Sequence, residues 1–538
     1  MRQILKLVAG SAALLLTVAC DMDAHTTTVK QQGFVYCTDD VSDTLNPQLT
    51  YDATAISPLG AQIFDRLLDI SPDDHRPLPS VATDWVVEEE GLRYVFTLRD
   101  NVWFQSRDGF TPTRPLNAED VAFSFNRIID PNHPLHRLSG GRYPWFESLG
   151  FDRIVADVSV VAPNTVAFDL YKTDNAFLSI LAAAPSVIHS KEYADYVISQ
   201  GAPERVDTQP LGSGPFVFSI FRHHDYVRLL RHNNYWQGQP QMGQVVFDIS
   251  SQGVGRLAKL LTGECDVIDA PYNSQIPRIL ENPNLNLITQ TGLNVTYLAL
   301  NQRKTLMQDP LLRRALAVAI NKDKLVSSIY LGSAEVADSI LPPNSWAYTA
   351  RATQLNYNLA LAKAYLRNST YSQQTLKLAF FSRQFSTNPQ AHKTAEVIQA
   401  DLDALGVKTE LVMLDTNNSY VLESGVDYDI LLTTWRATNG DPDSFLRPIL
   451  SCDAITVGTN SGQWCNIQFE NLLELALKTN SKPLRSNYYR LAQDVIDQHT
   501  PVIPLLHSNH YQAYHRSIEG LAISPFGTRS FSTVYRSE

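Results

Sequence analysis

Long apolar runs are absent from this sequence beyond its first twenty residues. No later stretch approaches the roughly 18 continuous apolar residues that a membrane-spanning helix needs. The motifs GxSxG, HExxH, GxGxxG and the Walker A loop are absent too. Serine, histidine and aspartate occur, but no spacing marks a catalytic triad. The sequence therefore gives no support for catalysis, and no cofactor is expected.

Positive charge is also in short supply. The 538 residues carry 44 Lys and Arg against 55 Asp and Glu, a net charge of −11. This balance argues against a nucleic acid as the main partner and is compatible with cationic ligands. With 44% hydrophobic and 18% charged residues, the chain is typical of a globular protein of two or three domains.

The N-terminus has the pattern of a secretory signal at residues 1–20. Arg2 and Lys6 precede the apolar run LVAGSAALLLTVA, which is too short for a spanning helix. The run ends at Val18-Ala19-Cys20, which resembles a bacterial lipoprotein signal with Cys20 as the lipid anchor. Ordinary cleavage near Ala19 is the alternative. The pattern predicts export to the periplasm, and Asp21 would favour retention at the inner membrane if Cys20 is lipidated.

Four of the five cysteines follow this signal: Cys37, Cys265, Cys452 and Cys465. An even number suits two disulfides in an oxidising compartment. Cys452 and Cys465 form the natural short-loop pair, and Cys37 and Cys265 would then join distant segments. Without a CxxC motif or Cys/His spacing, a zinc site is not indicated. The neighbouring His223 and His224 are read as solvated turn residues, because no third metal ligand is suggested nearby.

Local patterns predict a mixed α/β chain. WVVEEEGLRYVFTLRD and GPFVFSIFRHHDYVRLLRHNNYW are each typical of a hairpin. Asn117 is a helix cap with Asp120 in the first turn. Beyond residue 295, helices alternate with single strands, as in an open α/β lobe. DPLLRRALAVAINKDKLVSSIY predicts one amphipathic helix, NPQAHKTAEVIQADLDALGV a helix ending at Gly406, and YDILLTTW a strand.

Seven motifs in order resemble the peptide/nickel family (family 5) of extracytoplasmic solute-binding proteins, the receptors of oligopeptide-type ABC importers. They are WVVEEEGLRYVFTLRDNVWFQ, LNAEDVAFSFNRI, LGSGPFVF, RLAKLLTGECDVI, LRRALAVAINKDKLV, AEVIQADLDALGV and TPVIPLL. The resemblance runs from about residue 33 to the C-terminus. It implies the disulfides Cys37–Cys265 and Cys452–Cys465.

The resemblance also implies a two-lobed periplasmic-binding-protein fold of class II, like that of the dipeptide-binding proteins. The first lobe would comprise residues 33–292 and a return at 512–538, with an inserted subdomain at about 80–205. The second lobe would cover 293–511. Crossings near Thr291–Asn294 and His507–Gln512 would act as hinges, and ligand would favour closure.

In such a fold the strand YDILLTTW ends at the cleft, so the loop after it supplies ligand contacts. Relatives carry an aspartate three positions after the tryptophan, which pairs with the ligand's α-ammonium group; here that position is Thr438. Asp441 is a candidate substitute, with turn formation beside Pro442 as its alternative. Trp435 is either a ligand platform or a core residue, and Arg436 either a ligand contact or a structural partner.

Two further ligand-binding candidates lie outside this loop. Arg383 resembles the arginine that grips a peptide carboxylate in dipeptide binders, and a guanidinium fork suits carboxylate, propionate or phosphate. A surface ion pair is its alternative. Asn46 lies in a segment that borders the cleft in relatives, and turn formation beside Pro47 is the other interpretation.

The resemblance therefore predicts a non-enzymatic, monomeric receptor that captures peptides, among them cationic antimicrobial peptides, and delivers them to ABC permease subunits. A haem or metal-chelate binder of the same family is the first alternative. A periplasmic hydrolase would need a nucleophile–base pair that no motif supplies. A chaperone for unfolded chains would need a shallow groove instead of a closing cleft.

Overall fold

The computed structural model describes residues 32–39, 44–50, 58–107, 109–350, 355–382, 387–414 and 427–537 of the chain. The predicted signal at residues 1–20, with Cys20, lies outside these ranges. Within them, no helix is both long and apolar enough to cross a membrane.

The described part of the chain starts with a fully buried strand, which is followed by a short helix and two short strands that pair with each other. In order these elements are β1 (Gly33–Thr38), α1 (Gly60–Ile63), β2 (Leu68–Ile70) and β3 (Pro77–Pro79). A 3₁₀ turn, Pro47–Leu49, separates β1 from α1, and Asn46 caps it by accepting from the Gln48 amide. These elements start the first lobe.

A subdomain with its own core follows, built on a four-stranded antiparallel sheet in the order β4-β5-β7-β6. Its elements are β4 (Ala82–Glu88), β5 (Arg93–Leu98), α2 (Ala118–Ile129), α3 (Pro144–Ser148), α4 (Phe151–Ile154), β6 (Val155–Ala162), β7 (Thr165–Leu170), α5 (Phe177–Ala182), α6 (Lys191–Ser199) and α7 (Arg205–Thr208). The predicted hairpin is confirmed as β4–β5, and Asn117 and Asp120 form a capping box at α2. We call this part the inserted subdomain.

The chain then returns to the sheet of β1. The elements are β8 (Phe216–Arg222), β9 (Tyr226–Arg231), β10 (Gln244–Ile249), α8 (Gly253–Thr262), β11 (Val267–Asp269), α9 (Ile276–Leu280) and β12 (Leu285–Thr291). β8 and β9 confirm the second hairpin, with His223 and His224 in its turn. β1 lies parallel to both β10 and β11, and this sheet is the base of the first lobe.

The second lobe alternates strands and helices, as its sequence predicts. Its elements are β13 (Asn294–Leu300), α10 (Pro310–Ala319), α11 (Lys322–Ser328), β14 (Ala334–Val336), α12 (Leu359–Arg367), β15 (Leu376–Phe381), α13 (Ala391–Leu405), β16 (Thr409–Leu414), β17 (Ile430–Arg436), α14 (Asp443–Leu450), α15 (Asp453–Val457), α16 (Ile467–Lys478) and α17 (Lys482–His499). Two cores lie in this lobe, and β15 pairs in parallel with β16 and β17.

The prediction of one helix over DPLLRRALAVAINKDKLVSSIY is wrong. The chain forms two helices, α10 and α11, with a break at residues 320–321. Asn321 accepts a hydrogen bond from the Lys324 amide, and its own amide donates to Asp401. A side-chain cap and a long-range acceptor thus satisfy backbone groups that a continuous helix would have bonded internally.

One long strand, β18 (Val502–His515), joins the two lobes. Its first half pairs with β13 and β14, and its second half pairs with β11 and β12. The chain ends in short pairing strands: β19 (Ile518–Glu519), β20 (Ile523–Ser524), β21 (Gly527–Thr528) and β22 (Tyr535–Arg536). Residues of this terminal segment pack into the core of the first lobe.

Both expected disulfides are present. Cys37–Cys265 joins β1 to the segment before β11, and Cys452–Cys465 closes a loop at α15. The first links residues 228 apart in sequence and the second residues 13 apart.

We expect loss of the long-range disulfide to destabilise the fold more than loss of the short one. In the chain-entropy model, loops of these lengths correspond to about 5 and about 3 kcal/mol of unfolding free energy. Paired Cys→Ala variants at 37/265 and at 452/465, compared by urea denaturation, test the order. A larger loss for the 452/465 variant would contradict it.

Candidate ligand-binding site

The carboxyl ends of the parallel strands in the two lobes face one another along β18. In the second lobe, the end of β17 pairs with Asn294 at the start of β13, and the side chain of Asn294 bonds Ser508 of β18. In the first lobe, Asp269 at the end of β11 pairs with Gln512 of β18. β17 runs in the direction of β18 and β11 runs against it, so the two edges meet at about residues 508–512. Open α/β sheets bind ligands at such carboxyl edges.

Polar side chains fill this meeting point. The His510 Nε2 atom lies 3.2 Å from the Asp269 Oδ1 atom, and the Gln512 amide donates to Asp269 and to the Tyr36 hydroxyl. Burial opposes ionisation of Asp269, but the charges of His510 and Arg436 and the Gln512 hydrogen bond outweigh it and hold the pKa of Asp269 below its usual value. The carboxyl edges of the two lobes therefore meet at a buried group of charged and polar side chains.

Sequence reasoning missed Asp269, His510 and Gln512. A signal was available for two of them, because His510 and Gln512 are polar residues two positions apart, the spacing of one face of a strand, and both are buried in β18. Asp269 lies at the end of a three-residue strand that local pattern does not reveal.

The two faces of β17 explain the residues that follow it. Trp435 and Ala437 lie in the core of the second lobe, and the Trp435 indole donates to the Ser444 carbonyl. Because side chains alternate along an extended segment, Arg436 and Thr438 lie on the opposite face. The backbone supports this geometry, since the Ala437 amide still pairs with the Leu293 carbonyl.

Thr438 has an unusual environment. Its side chain is buried, yet its Oγ1 atom has no hydrogen-bond partner among the described residues. A buried hydroxyl without a partner costs about 1–3 kcal/mol. Thr438 therefore has a hydroxyl that makes no hydrogen bond within the described part of the chain.

Thr434, on the same face, donates to Val295 and lies 2.6 Å from the Thr387 hydroxyl. Thr387 directly follows the segment that contains Arg383, which lies outside the described residues. The structure thus brings the chain after Arg383 beside the polar face of β17. The ligand contact of Arg383 stays a prediction.

Asp441 lies within a buried ion pair. Both of its carboxylate oxygens accept from the Arg485 guanidinium, at 2.8 and 3.0 Å, and the Tyr489 hydroxyl donates to it. The Asp441 carboxylate also accepts from the Asp443 amide, as a turn-forming aspartate does. These contacts satisfy the carboxylate without a ligand. Its ligand role stays a prediction.

Asn46 is fully buried between β1 and the inserted subdomain. Its amide donates to Asp207 at 2.7 Å, and its carbonyl oxygen lies 3.1 Å from His189. Asp207 is itself held by the buried Arg127. Asn46 therefore ties the first lobe to its inserted subdomain, and its ligand role also stays a prediction.

The loop after β17 also joins the second lobe to the inserted subdomain, through contacts that the sequence did not reveal. Arg447 of α14 donates to the Leu149 carbonyl and, at 3.1 Å, to Asp174. Arg485 of α17 donates to the Asn175 carbonyl, and Asn175 donates to Leu477 of α16. In this structure the second lobe and the inserted subdomain are therefore in contact.

The chain resembles known binding proteins over its whole length. The profile of the family "Bacterial extracellular solute-binding proteins, family 5 Middle" matches residues 76–456. The probable ABC transporter periplasmic-binding protein SapA of Escherichia coli K12 is 41% identical over 100% of this chain and 98% of that protein. The peptide transport periplasmic protein SapA of Salmonella typhimurium LT2 is 41% identical over 94% and 92%.

A solved structure agrees with these sequences. The dipeptide binding protein from Pseudoalteromonas sp. SM9913 in complex with Met-Leu superposes with a TM-score of 0.89 at 34% identity, covering 94% of this chain and 100% of that one. The fold expected from the sequence is confirmed. GFVYC and NGDPDSFLRPILSC resemble SapA in particular, and the identities confirm that resemblance.

We expect Asp441→Asn to destabilise the protein by about 3 kcal/mol, because it leaves the Arg485 charge buried without its partner. Urea denaturation measures the loss. Glu474→Gln in the exposed Glu474–Lys478 pair is the matched control and should cost less than about 0.5 kcal/mol. Equal stability of both variants would show that Asp441 does not support the fold.

Proposed function

This chain belongs to the bacterial extracellular solute-binding proteins of family 5, and we propose that it is a periplasmic receptor that captures peptides and delivers them to an ABC importer. The meeting of two carboxyl edges along β18, with Asp269, His510 and Arg436 between them, carries this proposal. Similar proteins named as peptide transport proteins and one bound to Met-Leu support the peptide as ligand class.

The proposed lobes are residues 33–292 with 512–538, including an inserted subdomain at about 80–205, and residues 293–511. Separate hydrophobic cores support these boundaries, since the core of the inserted subdomain runs from Leu67 to Leu211 and those of the second lobe from Leu293 to Leu506. The chain crosses between lobes near Thr291–Asn294 and His507–Gln512. Ligand held at both edges stabilises the closed arrangement, because its contacts are incomplete when the lobes part.

The two crossings are bonded to each other. The Asn294 side chain donates to the Ser508 carbonyl and accepts from the Ser508 amide, at 2.8 and 2.9 Å. Gly292 lies against this pair: a Cβ at that position would come within 1.9 Å of the Asn294 amide nitrogen. We propose this close contact as the pivot of closure.

The site favours recognition of the peptide backbone over recognition of a free N-terminus. An ammonium ion needs a carboxylate, and Thr438 supplies only a hydroxyl. Asp441 is already paired with Arg485, and Asp269 with His510. Arg436 suits a peptide carbonyl or carboxylate, and no chemistry on the ligand is required. Ligands whose termini extend beyond the site, such as longer cationic peptides, fit this arrangement.

Export and anchoring complete the proposal. The two disulfides suit an oxidising compartment. We propose delivery to the periplasm by the signal at residues 1–20, with attachment to the inner membrane through a lipidated Cys20 and release of ligand to permease subunits there.

Native mass spectrometry of the protein purified from its own periplasm, without refolding, tests the function. We expect a ladder of small adducts at peptide masses, which would give the ligand length directly. A single adduct of haem mass with a Soret band would instead establish the haem alternative. Apo protein alone, under conditions that preserve peptide adducts of a dipeptide-binding relative, would contradict peptide capture.

We expect Thr438→Asp to strengthen binding of short peptides with a free N-terminus, because it restores a partner for the ammonium group. A charge-assisted hydrogen bond contributes about 1.5–3 kcal/mol, which is roughly tenfold to a hundredfold in Kd. Calorimetry with Met-Leu and with N-acetyl-Met-Leu measures the gain and supplies the control. Thr438→Asn should give no comparable gain. Equal gains for the free and acetylated peptides would disprove the ammonium contact.

A further inference from the structure

A buried cluster of five charged side chains lies between the second lobe and the inserted subdomain. We call it the interlobe cluster: Asp174, Asp441, Asp443, Arg447 and Arg485. Each of these side chains is at most 11% exposed. Four of them belong to the second lobe, and Asp174 alone belongs to the inserted subdomain. No ligand contact is needed to explain any of these interactions.

The cluster has more negative than positive charge. Asp441 pairs with Arg485, and Asp443 pairs with Arg447 at 2.9 Å, so the second lobe alone is balanced. Asp174 then approaches Arg447 to 3.1 Å as a third carboxylate, against two guanidinium groups. An excess buried charge is costly, and a carboxylate in such a place takes up a proton instead.

Asp443 is the carboxylate of the interlobe cluster that takes up the proton. Burial raises its pKa to about 7; Arg447 opposes this rise, whereas the charges of Asp174 and Asp441 add to it. Protonation of Asp443 does not abolish its contact with Arg447, because a protonated carboxyl group still accepts a hydrogen bond from the guanidinium.

Among the charged groups that shift the pKa of Asp443, Arg447 is positive and Asp174 and Asp441 are negative. Tyr489 of α17 faces Asp441 and Asp443, and burial raises its pKa well above the usual value, so it stays neutral. Tyr94 of β5 lies beside Asp174 and Arg485, and burial raises its pKa to about 12. Glu470 of α16 is a further carboxylate. Burial raises its pKa, and the nearby charge of Arg447 opposes that rise. The five side chains of the interlobe cluster therefore carry a net charge of −1 when all three aspartates are ionised, and these neighbours add no positive charge.

We propose that closure of the two lobes takes up one proton, because it brings Asp174 into a buried cluster that is already neutral. This inference rests on the proposed function, in that closure is taken as the functional motion. Asp174, Asp443 and Arg447 are then positioning residues: they act on ligand retention by setting the closing equilibrium, without touching the ligand.

The direction of the pH dependence follows from the pKa of Asp443 in the open and in the closed form. When the lobes part, Asp174 leaves and water enters, so the pKa of Asp443 falls toward its ordinary value near 4. Between about pH 4 and pH 7 the closed form thus holds a proton that the open form lacks. Lowering the pH through this window favours closure, by up to tenfold per pH unit. Above about pH 7 neither form holds the proton and the equilibrium stops changing.

Small-angle X-ray scattering of the full chain without ligand, at pH 5.5 and pH 8 and constant ionic strength, tests this proposal. We expect a smaller radius of gyration at pH 5.5 for the wild type. Asp443→Asn, which mimics the protonated carboxyl, should give the compact form at both pH values. Asp174→Asn balances the cluster and should abolish the pH dependence.

Glu474→Gln on the exposed face of α16 is the control and should retain the wild-type response. The gain of compactness expected at pH 8 for Asp443→Asn is an effect that simple damage to the fold does not produce. Scattering of the wild type that is independent of pH would overturn the proposal, as would a wild-type response in Asp443→Asn. Peptide capture would survive either result, since mass spectrometry tests it separately.

Discussion

The architecture depends on β18, a single strand that hydrogen bonds into the sheets of both lobes. Every backbone amide and carbonyl that is buried needs a partner, and a strand shared by two sheets satisfies this need on both sides of the crossing. Its direction also sets where function can lie. β11 is antiparallel to β18, whereas β17 runs in the same direction as β18. The carboxyl ends of β11 and β17 therefore face each other over residues 508–512, where His510 contacts Asp269.

The segment LLTTWRATNGDPDSFLRP shows how one short sequence can serve several purposes. Its strand places Arg436 and Thr438 on the face opposite to the Trp435 ring, which packs in the core of the second lobe. Its two acids hold Arg485 and Arg447, and these arginines reach the inserted subdomain. Burying so many charges is costly unless each is paired, so the segment links the geometry of the site to contact between the lobes.

Patterns that depend on neighbours in sequence were predictable. The hairpin β4–β5, the capping box at Asn117 and the helix ending before Gly406 each follow from residues within one turn or two strands. The break at Asn321 was not predictable, because Asp401, eighty positions later, accepts the amide that a continuous helix would have used. The partners of Asp441 and Asn46 were not predictable for the same reason, because Arg485 and Asp207 are distant from them in sequence.

By itself, the sequence determined the family, because the ordered motifs are a property of the chain, and the resemblance to that family implied the two-lobed α/β fold and the two disulfide pairs. It also predicted ligand contacts in the loop after β17 and marked Thr438 as a departure from relatives, and these contacts stay a prediction. Only the tertiary structure decided which polar groups meet there. Asp269, Arg436 and His510 come from three separate strands, and Asp174 meets Arg447 across two lobes. Such encounters depend on strand direction and lobe contact, which no local pattern encodes.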